Sequence, residues 1–377
     1  MGSADEDGFR LIPLRDSLFI LKEDGIYRLT GEDSASFRIE LFDDTARIRA
    51  PETAVTLNNA LFFLSDQGVV QCTETGVSVI SRPIEIDILE LFGEVGLSTV
   101  SAYSFAVGYE TDRKYILAVP QTSADTSASF FHVYNTFTNA WTTWEDLDVV
   151  YGLVKRDNDK LYLCDSSIQF LREERKSYNN TDFIDNGGPT TISGVSDLTL
   201  TLSNTDLMSI GDIIYQSGSF SIIDSIDSIA GTVTINYDGG LSTGAAVIYK
   251  AINCDVTWVP IHAGNPSIIK QFREISFLFK RSFLLRANAA FSSDLSPSTE
   301  TLTIQGKSLG FWGYFSWGDV IWGGAVSRFP VRTWVPLAKQ RSTQLIVSFS
   351  HRVGYSDFKL SGMATHFRAI SERFGNT

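Results

Sequence analysis

Methionine and cysteine are scarce in this 377-residue chain, three of each, and histidine occurs four times. Cys72, Cys164 and Cys254 are odd in number, far apart, and each set in an apolar, strand-like run. That pattern excludes a disulfide-stapled framework and predicts three buried free thiols. His132, His262, His351 and His366 show no metal-ligand spacing, and His132, inside an aromatic run, is expected in a core or an interface. No apolar run approaches the ~20 residues needed to span a bilayer, and no charged-then-apolar leader opens the chain. The expected setting is therefore a reducing compartment or a virion.

Catalytic signatures are missing as well. There is no Gly-x-Ser-x-Gly elbow, no phosphate-cradling glycine loop ahead of a helix, and no His-Glu-x-x-His. Nucleophilic and zinc hydrolysis lack their residues, so neither an enzyme nor a cofactor or metal is expected. Paired carboxylates are the remaining enzymatic option, since glycosidases need only two acids flanking a bond. Glu145 and Asp146 beside Trp141 and Trp144 are the best local candidates, against the simpler reading of a solvated turn after a strand. Asp157-Asn158-Asp159 resembles half of a calcium loop and reads better as a hairpin turn. Asn179-Asn180-Thr181 fits a glycosylation sequon that also arises often by chance.

Aromatic residues, by contrast, are plentiful: 26 Phe, 13 Tyr and 7 Trp, within 43% apolar and 20% charged residues. Those are globular values that favour strands and interfaces over helical bundles. The formal net charge of −13 argues against a surface that grips phosphates, though not against a wall past which DNA slides.

A short theme recurs over the first ~175 residues: apolar strand, polar turn, second strand. Leu18-Phe19-Ile20-Leu21 leads through Lys22-Glu23-Asp24-Gly25 to Ile26-Tyr27-Arg28-Leu29. Leu61-Phe62-Phe63-Leu64 leads through Ser65-Asp66-Gln67-Gly68 to Val69-Val70-Gln71-Cys72, and Leu161-Tyr162-Leu163-Cys164 opens a third copy. The first two copies lie 43 residues apart (61 − 18), a propeller-blade period. Asn135 to Trp144 reads as a turn followed by a Trp-containing strand. Residues 1–176 are thus expected to form three to four propeller-like blades, fewer than or equal to the smallest closed ring of four to eight. Either later strands complete the ring or upstream blades are missing. Pro83 to Phe92, with apolar positions at 84, 88, 91 and 92, is the one plausible short helix.

Composition shifts at Ser177. Residues 177–252 are expected to form a small inserted β-barrel or sandwich of about five strands, entered through a polar joint at Asp185-Asn186-Gly187-Gly188-Pro189. Residues 253–377 return to longer alternating strands, read as a sandwich or a final blade-like sheet that completes the main body. The fold class is all-β: propeller-like blades, an inserted small β domain and a C-terminal sheet region.

Within the last region, Trp312-Gly313, Trp317-Gly318 and Trp322-Gly323 recur at five-residue spacing. So much aromatic surface in so glycine-rich a segment is expected to be buried, against a neighbouring subunit or domain or within its own core, with a sugar or membrane contact as a further alternative. Arg328, Arg332 and Trp334 follow closely, and Arg with Trp dominates interface energetics. Trp312, Trp317, Trp322, Arg328, Arg332 and Trp334 are the candidate subunit-interface residues.

In their order, several pieces resemble the tail nozzle (tail tubular B-like, tail hub) proteins of short-tailed bacteriophages. They are Phe19 to Gly31, Tyr134 to Trp141, Ile248 to Pro260, the Trp-Gly segment, Arg332-Thr333-Trp334-Val335-Pro336 leading into Lys339 to Ser342, and Phe358 to Gly362 with the strand through Arg368. The resemblance implies a propeller-containing subunit of a six-membered ring beneath the tail's adaptor or gatekeeper proteins, with tail fibres or spikes as neighbours. It implies assembly in the bacterial cytoplasm, residence in the virion tail, and a tip that touches the host envelope. The ring prolongs the channel in which the genome is retained and then ejected, with DNA as passenger and no catalytic residues. The chain departs from such relatives in lacking their N-terminal blades. Two other readings stand beside it: a monomeric propeller serving as a binding module, and a glycan-binding or glycan-cleaving receptor protein using Glu145 and Asp146.

Overall fold

The computed structural model describes residues 8–33, 35–166, 171–174, 186–280, 286–305, 328–354 and 359–370. It is an all-β chain that divides into two compact units, Met1–Ile184 and Asp185–Thr377.

The first unit is a series of antiparallel meander sheets. Blade 1 comprises Gly8–Leu14, Ser17–Lys22, Gly25–Thr30 and Arg38–Asp43; blade 2 comprises Val55–Leu57, Ala60–Ser65, Gly68–Thr73 and Gly76–Val79. Blade 3 comprises Phe105–Tyr109, Lys114–Val119, Phe130–Asn135 and Ala140–Trp144, and blade 4 comprises Val149–Lys155, Lys160–Asp165 and Leu171–Glu173. Strand order follows chain order in every sheet.

Side-chain alternation explains how the blades stack. In Ala60–Ser65, Leu61 and Phe63 face one way and pack with Phe19, Leu21 and Ile26 of blade 1. Phe62 and Leu64 face the other way and pack with Tyr115, Leu117 and Tyr134 of blade 3. A strand buried on both faces needs apolar residues at every position, and so reads as a continuous apolar run. Blade 3 repeats the logic, with Tyr115 and Leu117 towards blade 2 and Ile116 and Ala118 towards Leu161 and Leu163 of blade 4. Polar bonds reinforce the stack. Tyr115 Oη donates to the Thr53 carbonyl at 2.9 Å, and Trp141 Nε1 donates to the Ile80 carbonyl at 3.0 Å. Gly68, at φ 113°, makes the turn between the central strands of blade 2, where a side chain would meet Ser81.

The expected helix is present as Glu85–Glu90, widened by a π turn at Leu91–Val95 and followed by a second helix, Leu97–Tyr103. Ile88, Leu91, Val95 and Val100 close the core between blades 2 and 3.

In the second unit, six strands close a barrel in the order Asn186–Ser196, Thr199–Leu202, Thr232–Ile235, Ser219–Asp227, Ile213–Gln216, Gly244–Tyr249. The barrel has one strand more than the expected five. Asn186 to Pro189, read from sequence as a joint, opens its first strand, and a register shift between Asn186 and Gly188 absorbs the glycines. The remaining strands form a sandwich. One sheet runs Cys254–Thr257, Leu345–His351, Arg286–Ser293, Ser296–Gln305; the other centres on Lys270–Lys280, flanked by Arg328–Trp334 and by Lys359–Ala369 with Arg341–Ser342. Phe277, Phe279 and Ile275 meet Phe349, Val347 and Phe291 between the sheets, and the Phe279 and Phe349 rings lie 5.5 Å apart.

Barrel and sandwich are latched at Asp212, which is fully buried. Its carboxylate accepts from the backbone N–H groups of Ser209 (2.9 Å) and Ala251 (3.0 Å). It also pairs with Lys250 Nζ at 3.0 Å and Arg352 Nη2 at 3.3 Å.

Candidate interaction surfaces

Trp312, Trp317 and Trp322, with the whole Trp-Gly segment, lie outside the described residues. Arg328 opens the strand Arg328–Trp334, where it is the register partner of Lys280. Arg332 and Trp334 follow on that strand, which is an edge of its sheet among the described residues. Pro330 suits such a position, since proline cannot donate to a second neighbour.

Alternation sorts this strand into two sides. Val331 turns inward onto the sandwich core, while Arg332 and Trp334 turn outward. Across the sheet, Trp334 is in register with Glu274 and then His366; Arg332 is in register with Ser276 and then Ala364. Arg332 Nε lies 3.5 Å from Glu274 Oε1, but its side chain is 72% exposed. Trp334 is 68% exposed and Leu337, just beyond it, 86%. The structure thus places two of the six candidates side by side on an open, mixed face: an indole, a guanidinium that its carboxylate partner does not bury, and a leucine.

A second surface was not read from the sequence. On the side of blade 1 away from blade 2, two complete cross-strand rows carry no charge. They are Pro13, Leu18, Leu29 and Ile39, and beside them Leu11, Ile20, Tyr27 and Leu41. The signal was present, because Leu18-Phe19-Ile20-Leu21 is as continuously apolar as the buried central strand of blade 2.

The glycosidase candidates are not brought together as a site. Glu145 and Asp146 are exposed in the turn after Ala140–Trp144, with Asp146 at φ 62°. The indoles beside them are engaged in the fold: Trp141 stacks on Tyr134 at 5.0 Å and Trp144 on Phe131 at 6.4 Å. Asp157 to Asp159 forms a hairpin turn, with the Asp159 N–H on the Lys155 carbonyl at 2.9 Å. No cluster of three potential metal ligands occurs among the described residues. A depression of about 210 Å³ beside Ile88, Leu89 and Phe92 includes Arg82 and Glu85, which pair with each other at 2.6 Å.

Burial shifts His132, His351 and Cys72 towards their neutral forms. Burial holds His132 below the usual histidine range, opposed by the charge of Asp87, and holds His351 down at about 4. Burial, with Asp43 adding to it, pushes the Cys72 thiol up to about 12.

No family model matches the chain and no curated protein matches it. Among solved structures, it is similar to the extracellular domain of a putative hybrid two-component system from B. thetaiotaomicron. That match has 11% identity over 72% of this chain and a TM-score of 0.27, and it spans about two fifths (41%) of the other. A GH32 β-fructofuranosidase of Bombyx mori is 10% identical over 97% of this chain and 78% of its own, with a TM-score of 0.16. Neither likeness reaches the level of a shared fold.

Proposed function

We propose that this chain is a non-catalytic structural subunit that assembles with copies of itself into a ring around a channel, in the manner of the phage tail nozzles its sequence resembles. The observation that carries the reading is the open Trp334–Arg332 face on the edge strand of the sandwich. An exposed indole beside a guanidinium is costly to leave in water and is the residue pair that anchors protein interfaces. Charge supports the passenger role of DNA. Six copies at −13 give a ring of −78 (6 × −13), a wall that repels phosphates and lets DNA move without adhering. On this reading the adaptor or gatekeeper and the fibre or spike proteins are its neighbours in the virion tail.

Negative-stain electron microscopy of the concentrated chain tests the reading. Closed rings with an open centre are expected, and Arg332→Ala with Trp334→Ala should abolish them without moving the melting temperature, because both side chains are more than two-thirds exposed. Rings that persist in the double variant would overturn the role of this face. Single particles at every concentration would overturn assembly and favour the monomeric binding module.

A further inference from the structure

The helical segment between blades 2 and 3 carries charge of one sign. From Glu85 to Tyr103 it holds Glu85, Asp87, Glu90 and Glu94, and no lysine, arginine or histidine. Its inner stripe, Ile88, Leu91, Val95 and Val100, is committed to the core. On the outside Ile86 and Leu89, three residues apart and so on one side of the helix, are exposed by 70% and 60%. Glu90 and Glu94 follow on the exposed side, and neither forms an ion pair among the described residues. Arg82, just ahead of the helix, is held by Glu85 and does not offset the acids beyond it.

Leu89 also lines the depression of about 210 Å³, together with Ile88, Phe92, Gln67, Arg82 and Glu85. Small-molecule sites begin at about 300 Å³, so this one has room for a single large side chain and not for a cofactor. An acidic, apolar surface with such a depression suits a partner that is cationic, apolar and carries one projecting ring. The sandwich of this same chain presents that combination in Trp334, Leu337 and Arg332. Glu274, the partner of Arg332, is only 18% exposed, so the charge offered to solvent there is the guanidinium.

We infer that the Trp334 indole of one copy seats in the depression beside Leu89 of the next, with Arg332 against Glu90 and Glu94. The indole supplies the buried area, and the opposed charges set the register and steer the encounter. Donor and acceptor lie in different units of the chain, so the contact is head-to-tail and repeats from copy to copy, the geometry that closes rings. This inference rests on the self-assembly reading above and names the surface that receives its exposed indole.

Charge reversal in the full-length chain tests it, read by sedimentation velocity and negative-stain microscopy. Arg332→Glu, and separately Glu90→Lys with Glu94→Lys, set like charges against each other across the contact. Each should lower the association constant at least about tenfold. All three side chains are exposed, so unchanged melting curves establish that the fold is kept. The three substitutions combined in one chain restore opposite charges, and assembly should return to within about threefold of wild type. Loss with Arg332→Glu but not with the helix pair would overturn this acceptor surface and leave the self-assembly reading intact. Loss in both without recovery in the combined chain would overturn the pairing. A wild type that stays monomeric at every concentration would overturn the self-assembly reading, and this contact with it. Recovery seen only in the melting temperature of a monomer would place the contact within one chain and overturn its role between copies.

Discussion

Replacing Asp212 by alanine removes the carboxylate on which four donors converge. Two are backbone N–H groups, of Ser209 and Ala251, and each loses an acceptor at about 1 kcal/mol. The other two are Lys250 and Arg352, whose side chains keep 36% and 33% exposure and can partly rehydrate. That rehydration cuts the cost of unpairing them to about 1 kcal/mol. The total, about 3 kcal/mol, lies at the low end of what breaking a buried ion pair costs. For a unit of this size it corresponds to a fall in melting temperature of about 6–12 °C. Urea unfolding of the full chain, followed by tryptophan fluorescence and circular dichroism, measures it. Asp212→Asn, which keeps one acceptor oxygen, should fall between wild type and alanine. Glu274→Ala, whose Arg332 partner is mostly in solvent, should cost at most about 1 kcal/mol and serves as the contrast. A loss below about 1 kcal/mol for Asp212→Ala would refute the latch.

Gly211, at φ 93°, approaches the Arg352 carbonyl so closely that a β-carbon would collide with it. Gly211→Ala should therefore destabilise by about 1–3 kcal/mol from backbone strain alone, visible as a lower urea midpoint; an unchanged midpoint would count against the close approach. His351 is neutral in the fold with its pKa held to about 4, whereas the unfolded chain takes up a proton near the ordinary histidine value of 6.5. Stability should thus be constant above that range, fall as pH drops from about 6.5 to about 4, and lose nothing further from this group below it. The urea midpoint of His351→Gln should change less than that of wild type between pH 7 and 5, and equal changes would refute the assignment. Cys72, buried and raised to about 12, should resist Ellman's reagent at pH 8 and react on unfolding; mass mapping that finds it labelled at a free-thiol rate in the native protein would contradict its placement.

The hairpins were legible because their information is local: an apolar run, a glycine that accepts positive φ, and a second run. The blade period was harder. The apolar run at Leu61 is followed by its structural counterpart at Tyr115, 54 residues on (115 − 61), because the helices between Glu85 and Tyr103 lengthen that interval. Phe105–Tyr109, too short and too uniformly apolar to announce a period, went unread. Asn186–Ser196 was hidden by its glycines and proline, which mimic a joint until the neighbouring strands supply its ladder. Asp212 could not be recognised from its surroundings, since its partners Lys250 and Arg352 lie 38 and 140 residues away. Of the candidate interface, Arg332 and Trp334 were legible as residue types, but their exposure depends on an edge position that only the sheet order reveals.

The first and last strands of the barrel are neighbours, with Asn186 in register with Tyr249. The chain therefore leaves this domain about 5 Å from where it came in, one strand spacing. Such a domain behaves as a cassette. It can be lengthened, shortened or exchanged without redirecting the polypeptide on either side, provided that whatever replaces it offers Lys250 and Arg352 an equivalent of Asp212.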